Sequence, residues 1–115
     1  MLKIDSDLKI TMFKGDTGTL SVAFNKNTLP YAFLEGDKVY FTMKKLMTQP
    51  LPTLSKEVTT FNGNVATITI DPEDTINLEA GAYFYDIQIN YADGTVDTLV
   101  PKVSKFVLNS GVKND

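Results

Sequence analysis

Apolar and polar residues alternate strictly between residues 83 and 91. Tyr83, Tyr85, Ile87, Ile89 and Tyr91 fall at every second position, with Phe84, Asp86, Gln88 and Asn90 between them. Successive side chains of a strand point to opposite faces, so the pattern predicts a strand with one buried and one wet face. Asp93-Gly94 stands where the chain must reverse, and Val96 begins a second apolar run. Together they predict a β-hairpin. The same alternation recurs upstream at Leu8, Ile10 and Met12, at Leu20, Val22 and Phe24, at Val39, Phe41 and Met43, and at Ala66, Ile68 and Ile70. Each run predicts a strand, and a weaker one is expected over residues 54–60.

Turn-forming residues separate these runs: Gly15-Asp16-Thr17-Gly18, residues 25–28, Gly36-Asp37 and Asn62-Gly63-Asn64. Asp71-Pro72-Glu73-Asp74-Thr75 predicts a single helical turn, with Asp71 as the cap and Pro72 at the first helical position. Phe106 and Leu108 resume the alternation after Pro101, which marks an edge, a bulge or a change of face. Residues 109–115 are polar and are expected to fray. Short strands at this spacing predict an all-β fold, an antiparallel β-sandwich of about seven strands in one domain spanning residues 1–115. The expected core is Leu20, Val22, Phe24, Val39, Phe41, Ile68, Ile70, Tyr83, Tyr85, Ile87, Ile89 and Phe106.

Composition narrows the chemistry. The chain has 115 residues with no Cys and no His. That removes disulfides, a thiolate nucleophile, the commonest general base and the commonest zinc ligand. Ser6, Ser21, Ser55, Ser104 and Ser110 have no imidazole to activate them, and no carboxylate pair is singled out by spacing. Neither an enzyme nor a cofactor is expected. The net charge is −3 and the lysines are scattered, so no phosphate-binding footprint exists and nucleic acid is not an expected partner. The first ten residues, MLKIDSDLKI, lack an apolar run of signal-peptide length, and no segment reaches the length of a membrane span. A soluble chain without membrane attachment is expected.

Asp71, Glu73 and Asp74 bunch together and allow two readings: a helix cap in a tight connection, or oxygen ligands for calcium. The cap is favoured, because no second acidic cluster is placed beside it by sequence. Tyr83, Tyr85 and Tyr91 share the face of Ile87 and Ile89, which makes them core rather than a sugar-stacking platform. Tyr40 and Phe84 lie on the opposite faces of their strands and are candidates for a surface contact. Residues 29–34 and 47–54 are apolar but irregular, with Pro30, Pro50 and Pro52 inside them. They either close the ends of the sandwich or present Leu29, Tyr31, Phe33, Met47 and Leu51 to a neighbouring subunit.

Two resemblances add to this reading. The segment Asp71-Pro-Glu-Asp-Thr75 followed by Gly81-Ala-Tyr83-Phe-Tyr85 resembles the turn into strand F of immunoglobulin-like sandwiches. The resemblance implies that Tyr83 is the tyrosine of a tyrosine corner, its ring inside and its hydroxyl bonded to an upstream backbone group. Tyr85 stands where antibody domains carry a disulfide-bonded Cys. Packing must replace that disulfide and the usual core Trp. Nearly the whole chain is similar to small structural proteins of phages and prophages of Gram-positive bacteria, in particular the N-terminal domain of phage baseplate upper proteins. The ordered set that carries this is Ile10-Thr-Met12, Gly15-Asp-Thr17, Pro30-Tyr31, Gly36-Asp37-x-Val39-x-Phe41, Thr69-Ile-x-Pro72-x-Asp74-Thr75, Leu78-x-x-Gly81-x-Tyr83-x-Tyr85-Asp86-Ile87 and Asp93-Gly94-x-Val96-x-Thr98. It implies a non-enzymatic virion component of the tail, baseplate or neck, made in the bacterial host cytoplasm. It would act by docking to other phage structural subunits and form a homo-oligomer. A carbohydrate- or receptor-binding β-sandwich module is the alternative expectation.

Overall fold

A computed structural model describes residues 2–4, 8–26, 28–98 and 104–111. In chain order the elements are β1 (Lys3–Ile4), β2 (Ile10–Phe13), β3 (Gly18–Ala23), β4 (Asn25–Lys26), β5 (Leu29–Pro30), β6 (Lys38–Lys44), β7 (Leu54–Val58), β8 (Val65–Ile70), the helical turn α1 (Pro72–Thr75), β9 (Gly81–Asn90), β10 (Val96–Thr98) and β11 (Ser104–Asn109). The fold is all-β and sandwich-like, as the alternation predicts.

One layer is a curled sheet in the order β1-β2-β11-β9-β6-β7, with β10 also paired to β9. The other layer is a two-stranded ribbon of β3 and β8, in register from Gly18↔Ile70 to Ala23↔Val65. A short β4–β5 hairpin stands apart from both. Two details differ from the expectation of about seven antiparallel strands. Eleven strand segments occur among the described residues, because two-residue pairings add to the count and the return from the hairpin turn contributes both β10 and β11. β10 pairs with Gln88–Asn90 of β9, whereas β11 pairs with Gly81–Tyr85. The sheet is also mixed. β2 runs parallel to β11, with Ile10 opposite Phe106 and Met12 opposite Leu108. Pro101 and residues 112–115 of the tail lie outside the described residues. Asn109 belongs to β11.

The core lies between the two layers. Period two puts Val39, Phe41 and Met43 of β6, Tyr83, Tyr85, Ile87 and Ile89 of β9, and Phe106 and Leu108 of β11 on the inner face. Ile10 and Met12 join from β2, and Leu20, Phe24, Ala66, Ile68 and Ile70 cover them from the ribbon. Val22 is only half-buried but packs against the same cluster. Each fully buried large apolar side chain contributes about 1.5–3 kcal/mol. The Phe41, Tyr85 and Phe106 rings meet at centroid distances of 5.6–6.4 Å on the inner face of the large sheet.

Two polar anchors tie the connections to this core. The Tyr83 ring is buried and its hydroxyl donates to the carbonyl of Glu79, four residues upstream, at 2.7 Å. The Tyr85 hydroxyl donates to the carbonyl of Leu8 and so fastens the entry to β2. The single helical turn forms where Asp71-Pro72 predicts it. The Asp71 N–H donates to Asp74 Oδ2 at 2.7 Å, and the buried Thr75 hydroxyl accepts from the Gly15 N–H at 2.8 Å. The turn is thereby held against the β2–β3 connection.

A candidate docking surface at one end of the long strands

β6 and β9 lie side by side over seven residue pairs, from Lys38↔Asn90 at one end to Lys44↔Phe84 at the other. Their even-numbered residues face away from the core. The rows Lys44–Phe84, Thr42–Asp86 and Tyr40–Gln88 therefore form a strip on the outer face. Thr42, Lys44, Phe84, Asp86 and Gln88 line a groove of about 220 Å³, and Met47 closes its end. The Phe84 ring is a half-buried apolar wall, with Lys44 and Asp86 supplying one charge of each sign. Tyr40, farther along the strip, bonds the Glu57 carboxylate opposite it on β7, and that bond is the main cause of its raised pKa.

The loop beyond β6 brings Met47 to the groove and carries two further exposed apolar side chains. Leu46, Met47 and Leu51 are 61%, 53% and 74% exposed, too much for residues that merely close a sandwich end. The Gln49 side chain braces this loop. Its Oε1 accepts from the Leu46 N–H at 2.9 Å, while its Nε2 donates to the Leu51 carbonyl at 2.6 Å and to Thr53 Oγ1 at 3.1 Å. The Lys45 N–H also donates to Thr53 Oγ1, and the Thr53 N–H returns to the Met43 carbonyl at 2.7 Å. Three exposed apolar side chains thus stand on a loop whose backbone is already ordered. Little backbone conformational entropy remains to be lost when they meet a partner.

The structure separates the remaining candidates. Phe84 and Met47 line the groove, Leu51 stands on the same loop as Met47, and Tyr40 lies on the same strip. Leu29, Tyr31 and Phe33 belong to the other end, near the Asp93-Gly94 turn. There Phe33 stacks on Phe61 at 3.8 Å and meets Phe24 edge-on at 4.8 Å, while Tyr31 meets Phe33 and Tyr91 edge-on at 5.5 Å each. Tyr31 and Phe33 are half-buried against the core, whereas Leu29 and Leu34 are exposed. The Lys26 ammonium sits 4.4 Å from the centre of the Tyr91 ring and 5.5 Å from that of Tyr31, covering the aromatic faces a sugar would stack on. Gln49 carries no signal in the sequence. Its role follows from a loop geometry that a lone amide between Thr48 and Pro50 does not announce.

The acidic bunch at α1 is organised around a lysine. Lys56 Nζ lies 2.6 Å from Asp74 Oδ2 and 3.4 Å from Asp71 Oδ2, and this pairing with Asp74 first raises the Lys56 pKa. An ammonium thus fills the space between the two carboxylates. Among the described residues no three Asp, Glu, His or Cys side chains gather in a way that could hold a metal ion, and no helix is long and apolar enough to cross a membrane. No protein-family model and no curated protein matches the chain.

Proposed function

We propose that this chain is a non-enzymatic structural subunit of a tailed-phage virion, working by protein–protein docking through the groove end of β6 and β9. The observation that carries the docking reading is the braced loop that holds Leu46, Met47 and Leu51 in solvent, with Met47 lining the groove together with Phe84. Exposed apolar side chains gathered on one surface are a feature of interaction sites. The groove, with apolar walls and one charge of each sign, suits a neighbouring subunit whose apolar side chain enters between Lys44 and Asp86. The assignment to a virion rests on the family-like order of motifs from Ile10 to Thr98. Other structural subunits of the particle, and further copies of this chain, are the partners in this reading.

The test is to induce particles from the source strain, band them by density and measure the chain by mass spectrometry. Several copies per particle are expected. Particles that form normally without the chain would rule out the virion assignment. Incorporation of Phe84→Ala and Leu51→Asp variants then reports on the surface. Both are expected to fold and to be depleted from particles, and undiminished incorporation would discard the groove.

A further inference from the structure

Among the described residues, the outer strand edge of the ribbon is the place where a long, regular strand has no strand paired to it. β3 bonds only to β8 among the described strands, so its other edge has no described strand against it, and Thr19, Ser21 and Ala23 on it are exposed. Native proteins usually blunt such edges with charges, prolines, bulges or short length. β3 has none of these: Gly18-Thr-Leu-Ser-Val-Ala23 is six residues long, uncharged and paired with β8 without a bulge. The other edges differ. β7 carries Lys56 and Glu57, β10 carries Asp97, and β1 is two residues long. The free side of β8 is flanked by a cleft lined by Lys56, Glu57, Thr59 and Thr60 together with Thr67 and Thr69.

We propose that β3 is a self-association edge, taking β3 of a second copy of this chain in an antiparallel, twofold pairing. The residues favour a second copy over an unrelated strand because β3 complements itself. A twofold axis at Ser21 sets Leu20 against the second copy's Val22 on the inner face and Thr19 against its Ala23 on the outer face. Apolar meets apolar, small meets small, and no charge of either sign is brought together. The outer surface already shows this chemistry across the existing pair, where Ser21 Oγ and Thr67 Oγ1 approach to 3.5 Å. Joining two ribbons yields a four-stranded layer in place of two separate two-stranded ones. The surface is distinct from the groove end and does not depend on it.

The experiment uses the axis. A Ser21→Lys substitution places two ammonium groups directly opposite each other, and Ser21→Glu does the same with carboxylates, each of which opposes pairing. Ser21 is exposed, so both variants keep the wild-type melting temperature at dilutions where every protein is monomeric. In sedimentation over a concentration series, wild type is expected to dimerise. Each variant alone should weaken that dimer by about tenfold or more, the equivalent of about 1.4 kcal/mol. An equimolar mixture of the two should restore it. The natural chain has no cysteine, so Ser21→Cys gives a second readout: a disulfide-linked dimer on mild oxidation. A wild type that stays monomeric up to millimolar concentration overturns the proposal. So does a dimer that survives Ser21→Lys but is lost on Leu51→Asp, which would place association at the groove instead.

Discussion

The Tyr31 hydroxyl donates a 2.7 Å hydrogen bond to Oδ2 of Asp37, a carboxylate with only 1% of its surface exposed. The same oxygen accepts from the Leu34 N–H at 2.9 Å, and Oδ1 accepts from the Ala92 N–H at 2.8 Å. Three donors from two connections thus converge on one buried anion. They lock residues 31–37 to the hairpin turn after β9. Gly36, at φ +95°, lets this turn pass close to Ala92, where an added Cβ would stand 3.1 Å from the alanine methyl.

Burial alone pushes the Asp37 carboxyl up, but the bonds from Leu34, Tyr31 and Ala92 outweigh it and hold the group below its ordinary value of 3.8. A depressed folded-state pKa stabilises the fold above pH 3.8, and that stability is lost as pH falls through the folded value. Asp37→Asn should therefore cost about 1–3 kcal/mol at neutral pH, since its amide places a donor against a donor. Urea midpoints measured from pH 7 down to pH 2 check this. The difference between wild type and variant should shrink at the acid end, and a constant difference would remove the role of the charge.

Two tyrosines should titrate late. Burial first, and then bonds to Asp37 and Asp97 respectively, push Tyr31 and Tyr91 up to about 12. Both folded-state values are raised, so their stabilising effect is complete below pH 10 and is lost as pH climbs through 12. Absorbance at the phenolate band is the measurement. Two of the five tyrosines should ionise near pH 12 while the chain remains folded, and Asp37→Asn should bring one of them down.

Neighbouring positions on β9 should respond oppositely. Ile87 is 4% exposed in the core, whereas Asp86 points outward into the groove. Ile87→Asp buries an unpaired charge at a cost of several kcal/mol, a large share of a total stability of about 5–15 kcal/mol. It should leave no folded protein in circular dichroism. Asp86→Ala should melt within about 0.5 kcal/mol of wild type. Equal urea melts for the two variants would reverse the assignment of the faces.

Gln49→Ala should act on order more than on stability. It removes the acceptor for the Leu46 N–H and both amide donations, at a cost of about 1 kcal/mol. Hydrogen exchange of the Leu46 amide should accelerate about tenfold, while amides of β6 and β9 keep wild-type protection. An unchanged Leu46 exchange rate would mean that the loop is held without Gln49.

Much of this architecture is written locally. The alternations in β6, β8 and β9 name their own inner faces, and Asp71-Pro72 and Asp93-Gly94 name their own turns. What is missing from the local pattern is pairing over distance. Nothing around Ile10 tells that it lies parallel to Phe106, because strand register is decided by the packed whole. The same holds for the ends of the sandwich. Residues 29–34 and 47–54 look alike as apolar, proline-bearing stretches, yet Tyr31 and Phe33 fold onto the core while Met47 and Leu51 remain outside. The difference lies in partners: Phe24, Phe61 and Tyr91 for the first stretch, and the Gln49 brace for the second. Of the candidate contact residues, Phe84 and Tyr40 could be placed on the wet face from period two. The groove that Phe84 lines needed the register of β6 against β9.

The parallel seam between β2 and β11 has a consequence for how the molecule is made. Strands from opposite ends of the chain close the sheet against each other, so a nascent polypeptide cannot finish its fold until Leu108 has cleared the ribosome. Until then Ile10 and Met12 have no neighbour along that side, and the ribbon has an incomplete floor to rest on. Such long-range closure slows folding and leaves strand edges open to wrong neighbours while synthesis continues. A chaperone that shields the first two dozen residues during translation should therefore raise the yield of native protein more than one that acts after release.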